Sequence, residues 1–299
     1  MKWNTAIISK WNTAEISKWN STVEGEGLGM GMFCADSSYL DGLIANGFTD
    51  LRIDIPDYDD SGWVASSKTT VGLAVGKGAR VIWGVKPSGT ITSSNWGTFV
   101  TACKSEAAWA QANGVYEFQI GNEGEGQVDG DTMTVYQFIA AVKALATEVQ
   151  AIFTNGNVSY SCHHEYIKES ISPWRTGWWV DSGGKGDLDI LNANVYMTWG
   201  TTPPGGNSIE WEDEIDALVT AFGVDGTNLT EFNINTSGMQ YYSETESVQA
   251  AAITTMADYI KTAGIKKAFF FVLKSDNHGV YEADDTQREL IWAALLAAQ

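Results

Sequence analysis

Four carboxylates, Glu123, Glu125, Asp129 and Asp131, stand among four glycines in QIGNEGEGQVDGD (119–131), directly after a run of apolar and aromatic residues. A further acid, Glu231 in TEFN (230–233), ends another such run. Arg52, Asp54, Lys86, His163, Asn194, Tyr196 and Lys274 lie within or at the ends of comparable runs. Acids and bases brought together in a dry place shift one another's pKa, so that one carboxyl holds a proton while its neighbour stays ionised. Proton transfer and stabilisation of developing charge are the chemistry such a set suits. A metal is a poorer fit. His163 and His164 are adjacent, and adjacent strand residues face opposite sides, so both imidazoles meet one ion only across a bulge. The acidic stretch also lacks the DxDxDG order of a calcium loop. Glu125, Asp129 and Asp131, beyond the strand end, are expected to be solvated loop acids, and no metal or cofactor is expected.

These side chains converge only if the chain folds their runs side by side. From Gly27 onward apolar, β-like runs alternate with amphipathic helical ones, the pattern of βα units on a parallel sheet. Eight strands are predicted: 29–36, 50–57, 80–87, 115–123, 157–164, 188–196, 227–233 and 267–274. Helices are predicted over Thr132–Phe153, Ser208–Phe222, Glu244–Ala263 and Asp285–Ala298 among others, with Gly47, Gly78, Gly114, Gly156, Gly223 and Gly264 near helix ends as C-caps. Eight strand–helix pairs fit a closed (β/α)8 barrel. A doubly wound open sheet would place a glycine-rich turn between its first strand and helix, whereas GLGMGMFCAD carries its glycines before or inside the strand. In a barrel, alternate residues face the interior and the C-terminal strand ends carry the reactive groups. That period points Arg52 and Asp54, Glu117, Gln119 and Glu123, Ser159, Ser161 and His163, and Asn192, Asn194 and Tyr196 inward. Lys86 and Lys274 fall near the tips of strands 3 and 8. Strand 7 alternates least clearly, with Glu231 at the matching height.

The totals narrow the partners. With 37 acidic against 18 basic residues the formal charge is −19, which repels nucleic acid and anionic membranes and supplies no basic stripe for either. Cys34, Cys103 and Cys162 are too few and too scattered for a disulfide framework or a zinc site. No leader and no run of the roughly 18 apolar residues of a spanning helix is visible, so a soluble protein is expected. Thirteen Trp and eleven Tyr supply flat rings suited to sugar faces; Trp83, Trp199 and Trp211 are candidate stacking platforms, with core packing the equal alternative. Residues 1–24 repeat an eight-residue unit with Trp3, Trp11 and Trp19 in register. They are expected to form an extension to the 25–299 barrel, packing on it or on a partner subunit.

GNE (121–123) ending strand 4 and the glutamate of TEFN ending strand 7, together with Arg52 on strand 2 and Tyr196 on strand 6, resemble the signature of clan A glycoside hydrolases, the "4/7" retaining enzymes such as family 5-like cellulases and mannanases. The resemblance spans the repeat pattern from about residue 27 to the end. It implies that Glu123 is the acid/base, that Glu231 is the nucleophile and that Asn122 hydrogen-bonds the substrate 2-hydroxyl. Tyr196 and Arg52 would keep Glu231 ionised and oriented. The implied reaction is a double displacement on a β-linked oligo- or polysaccharide, with two carboxyls about 5 Å apart. An endo-acting glucanase, mannanase or xylanase, extracellular if its substrate is a polymer, is the expectation. The chain departs from several families of the clan in having Lys274 where they carry Trp at strand 8, and His163–His164 does not map onto their histidines. Two other readings stay open: a Schiff-base lysine enzyme acting through Lys86 or Lys274, and a non-catalytic carbohydrate-binding or appendage protein.

Overall fold

A computed structural model describes residues 27–163, 178–197, 211–234, 246–273, 280–281 and 285–299. The KWN repeats, His164, Glu165, Trp199 and Lys274 lie outside the described residues. Eight parallel strands close on themselves in sequence order: β1 Gly27–Met32, β2 Asp50–Ile53, β3 Arg80–Gly84, β4 Glu117–Asn122, β5 Asn157–His163, β6 Ile190–Met197, β7 Leu229–Ile234 and β8 Lys267–Phe271. The helices among the described residues are α1 Leu40–Ala45, α2 Ser61–Gly76, α3 Ser93–Ala112, α4 Val135–Gln150, α5 Trp178–Asp181, α6 Trp211–Phe222, α7 Glu246–Thr262 and α8 Glu289–Ala298. This is the (β/α)8 barrel the alternation predicted. Among the described residues no helix is long and apolar enough to cross a membrane.

Local chemistry sets the boundaries. Thr134 caps α4 by accepting the Gln137 N–H at 3.2 Å while the Gln137 side chain accepts the Thr134 N–H at 2.8 Å, so the helix begins at Val135 and not at Thr132. Thr92 and Asn95 repeat the device at α3. Five of the six predicted cap glycines take a left-handed φ, for example Gly114 at 73°. Gly156 does not; a Cβ there would meet the Tyr116 carbonyl at 1.8 Å, so close backbone approach is the reason for glycine.

The outward strand residues form the core. Leu51, Ile53, Val81, Trp83, Phe118, Ile120, Val158, Tyr160, Leu191, Val195 and Phe232 are buried against helix faces such as Phe138, Val142, Leu145 and Val149 of α4. Trp83 is 0% exposed, packs edge-on to Trp109 and Phe118 and donates its Nε1–H to Ser67 Oγ at 2.6 Å. It is a core residue and not a sugar platform. Trp211 likewise packs edge-on against Tyr259 of α7.

The barrel interior is polar. Near its base Asp50 pairs with Arg80 and stands 3.4 Å from Lys267, whose ammonium lies 3.8 Å from the Tyr116 ring centroid. Above this, Asn192 Nδ2 donates to Glu117 Oε1 at 2.9 Å. Register shifts interrupt the ladders beside Asn122, Asn194 and Glu231. Bulges re-aim side chains. The one in β7 turns both Thr230 and Glu231 inward, where each meets interior partners, and that is why strand 7 shows the weakest alternation in sequence.

Candidate active site

Arg52 is the hub of the C-terminal end of the barrel. It is 3% exposed, and it donates from Nε to Gln119 Oε1 at 3.2 Å, from Nη1 to Glu231 Oε1 at 2.9 Å and from Nη2 to Asn122 Oδ1 at 3.0 Å. The planar fork thus fixes three strands, β2, β4 and β7, in one arrangement. Tyr196 donates its hydroxyl to the other oxygen of Glu231, Oε2. Burial raises the Glu231 pKa, the charge of Glu123 adds to that rise, and Arg52 and Tyr196 oppose it. Tyr196 itself is pushed well above its ordinary range by burial and by Glu231, so it stays protonated as a donor.

Glu123 closes β4 in a left-handed conformation, φ 51°, that few non-glycine residues adopt. Its N–H is held by the Ser161 carbonyl of β5 at 2.8 Å, and its Oε1 accepts from Asn194 Nδ2 at 2.8 Å. The Asn194 amide is oriented from behind, since its Oδ1 accepts from Ser161 Oγ and Thr230 Oγ1, each at 2.9 Å. Asn122 Oδ1 collects donors from Arg52, Gln119 and Asn194, which leaves its Nδ2 as the donor on offer to a ligand. Glu123 and Glu231 are therefore linked by one polar chain, from Glu231 through Arg52, Asn122 and Asn194 to Glu123, and Asn194 also pairs in backbone register with Glu231.

Other predicted site residues stand apart from this network. Asp54 lies at the β2 tip with both oxygens engaged, Oδ1 by the Cys34 N–H at 3.0 Å and Oδ2 by Trp63 Nε1. Burial raises its pKa, and the Trp63 and Cys34 bonds restrain the rise. Lys86 is 3.7 Å from Asp57 and 5.6 Å from the Trp63 ring centroid, outside the Arg52 network. His163 ends β5 opposite Asn194 in register; its side chain, like Lys274 and Trp199, lies outside the described residues. β8 runs to Phe271, whose ring lies 5.8 Å from that of Phe33, an exposed aromatic just after β1, and Leu273 still bonds the Gly31 carbonyl of β1 at 2.9 Å.

One expectation is overturned. Glu125 is not a solvated loop acid: it is 2% exposed, with Oε1 accepting from Trp179 Nε1 at 2.6 Å and Oε2 from the Tyr160 hydroxyl at 2.8 Å. Burial pushes its pKa to about 7. A carboxyl raised above its ordinary value of 4.5 contributes stability below that value and loses it as pH rises through about 7. The difference amounts to about 3 kcal/mol. Thermal unfolding from pH 5 to pH 8 should therefore show wild type losing stability relative to Glu125→Gln; parallel curves would exclude that assignment. Asp129 behaves as a turn acid, accepting the Asp131 N–H at 3.1 Å. Trp63, Tyr160 and Trp179 carried no signal in sequence, because their partners lie in other elements. Among the described residues, no group of three or more His, Cys, Asp or Glu could hold a metal ion.

No family model matches the sequence, and no curated protein matches it. Solved structures do. The exo-β-1,4-mannosidase Op5Man5 from Opitutaceae bacterium strain TAV5 aligns with a TM-score of 0.68 at 12% identity, covering 91% of this chain and 59% of that one. A GH113 β-1,4-mannanase aligns at 0.63 and 11% identity over 91% of this chain and 99% of its own. A GH10 endoxylanase from a sugarcane soil metagenome gives 0.63 and 11% over 96% and 100%. The chain thus spans about three-fifths of the mannosidase's length and nearly all of the other two. Over more than nine-tenths of its length, this chain has the same barrel fold as a mannosidase, a mannanase and a xylanase.

Proposed function

We propose that the protein is a retaining glycoside hydrolase that cleaves β-linked glycans, with Glu231 as nucleophile and Glu123 as acid/base. One observation carries the reading: both oxygens of Glu231 are held by Arg52 and Tyr196, while Asn194, on the strand beside it, grips Glu123. A guanidinium and a phenol both stabilise the ionised carboxylate, and each oxygen retains a lone pair for attack. Glu231 attacks the anomeric carbon as the glycosidic C–O bond breaks, and Glu123 gives its proton to the leaving oxygen. The Glu231 ester is then hydrolysed by water that surrenders a proton to Glu123, restoring both carboxyls. Two inversions leave the product with the substrate's configuration. Asn122 Nδ2 is assigned to the sugar 2-hydroxyl, where hydrogen bonds strengthen in the transition state. Phe33 and Phe271, packed edge to face with each other, are assigned as aromatic contacts for the sugar.

The likeness to a mannanase and a xylanase makes mannan and xylan the first substrates to try, with β-glucan third. The test is incubation with each polymer, following the anomeric protons of fresh reducing ends by NMR. The β anomer should appear first and the α anomer later, by mutarotation. Hydrolysis of none of the three, or α anomer first, would remove the basis for a retaining β-glycanase.

A further inference from the structure

The acidic loop holds a second carboxyl whose place the two-glutamate reaction leaves unexplained. Glu125 lies behind the strand, on the helix-facing side of β5, while Glu123, two residues earlier, reaches Asn194 in the barrel. Between them Gly124 donates its N–H to the Tyr160 oxygen at 2.8 Å, and Tyr160 in turn donates to Glu125 Oε2 at 2.8 Å. Trp179 of α5 holds the other oxygen, and its ring lies 5.1 Å from that of Tyr160, tilted by 38°.

The glycines of GNEG make room for this clasp. A Cβ on Gly121 would stand 2.7 Å from Tyr160 Cε2, and one on Gly124 would stand 2.8 Å from Phe138 Cζ and 3.3 Å from the Tyr160 oxygen. The N–H groups of Glu123 and Gly124 are thus both received by β5, one by the Ser161 carbonyl and one by the Tyr160 hydroxyl. Together they define the left-handed turn that aims the Glu123 side chain.

We infer that Glu125 is a positioning residue for the acid/base, acting through Tyr160 and Gly124 to hold the Glu123 turn. The inference rests on the reading of Glu123 as acid/base. Among the described residues, the titratable groups around Glu125 are Tyr160 and Cys162 of β5, Lys143 of α4, whose ammonium lies 5.8 Å from the Trp179 ring centroid, and Glu123 itself. None places a cation on the carboxylate, which is bonded by neutral donors. Burial that lifts the pKa of Glu125 to about 7 makes a carboxyl costly here, and an apolar side chain would avoid that cost. What the carboxyl adds is an acceptor that polarises the Tyr160 hydroxyl toward Gly124.

The test separates aiming from mere folding by changing the leaving group. Phenyl and 2,4-dinitrophenyl β-glycosides of the sugar that the protein hydrolyses differ in their need for a protonated acid, and the dinitrophenolate leaves unaided. Glu125→Gln and Tyr160→Phe are each expected to lower kcat/KM on the phenyl glycoside at least tenfold while leaving it within about twofold on the dinitrophenyl glycoside. Azide should raise kcat on the dinitrophenyl substrate in both variants and not in wild type, because the second step lacks its aimed base. Equal losses on both substrates, or wild-type values on both, would overturn the inference. If Glu125→Gln does not fold, Tyr160→Phe decides alone. Glu123→Ala run alongside must show the same split more strongly; its absence there would count against the acid/base assignment itself.

Discussion

Glu231→Ala is expected to lower kcat by on the order of 10⁵-fold, about 7 kcal/mol of transition-state stabilisation, because no other described carboxylate shares its pair of partners. The loss should fall on activated and unactivated glycosides alike, since no leaving group substitutes for the nucleophile. Azide fits the space left by the carboxylate and attacks from the same face, so a β-glycoside should yield the α-glycosyl azide, with Glu123 still acting as acid. Removing the carboxylate also leaves Arg52 buried without its ion-pair partner, with only Gln119 and Asn122 as acceptors, which destabilises by several kcal/mol. Glu231→Gln keeps an acceptor for Arg52 and should lose activity just as fully while folding better. Substantial activity in both variants would mean that another group attacks.

The second large effect belongs to Glu123. Its replacement by alanine should lower kcat/KM about 10²- to 10⁴-fold on substrates with poor leaving groups, the range of general acid catalysis. On a 2,4-dinitrophenyl glycoside, kcat/KM should stay near wild type, and kcat should fall because breakdown of the glycosyl ester lacks its base. Azide should then restore turnover and give the β-glycosyl azide, retained in configuration. The opposite products from the two alanine variants assign the two roles without reference to any sequence likeness. If Glu123→Ala gave the α-azide, the roles would be exchanged.

The barrel was legible because its signals are local. Alternation along DLRIDIPD, VYEFQIGNE and LDILNANVY put Arg52, Gln119, Asn192 and Asn194 inside, and the structure places them there. Helix-end glycines read correctly where the need was a left-handed φ, and Gly156 was misread because backbone proximity leaves no mark on its neighbours in sequence. Strand 7 was obscure for a physical reason: its bulge breaks the period of two, so that Thr230 and Glu231 face the same interior. Strand 8 runs to Phe271, and Leu273 still donates its N–H to the Gly31 carbonyl of β1 at 2.9 Å, while Lys274 lies outside the described residues. Glu125 could not be read at all. Past the end of a strand there is no periodicity to assign a face, and its burial is decided by Tyr160 and Trp179, 35 and 54 residues away. The acids of QIGNEGEGQVDGD are therefore not one crowd. Glu123 joins the candidate site, Glu125 is tucked behind the strand and Asp129 ties a turn.

The most direct test of the two-carboxylate account is to trap the intermediate. A 2-deoxy-2-fluoro β-glycoside of the hydrolysed sugar, with dinitrophenolate as leaving group, should inactivate the protein by forming a slowly hydrolysed ester. Peptide mass spectrometry should then find one fluoroglycosyl group on Glu231 and none in the Glu231→Gln variant. A label on Glu123 or any other residue, or no label on a protein that hydrolyses the parent glycoside, would contradict the account.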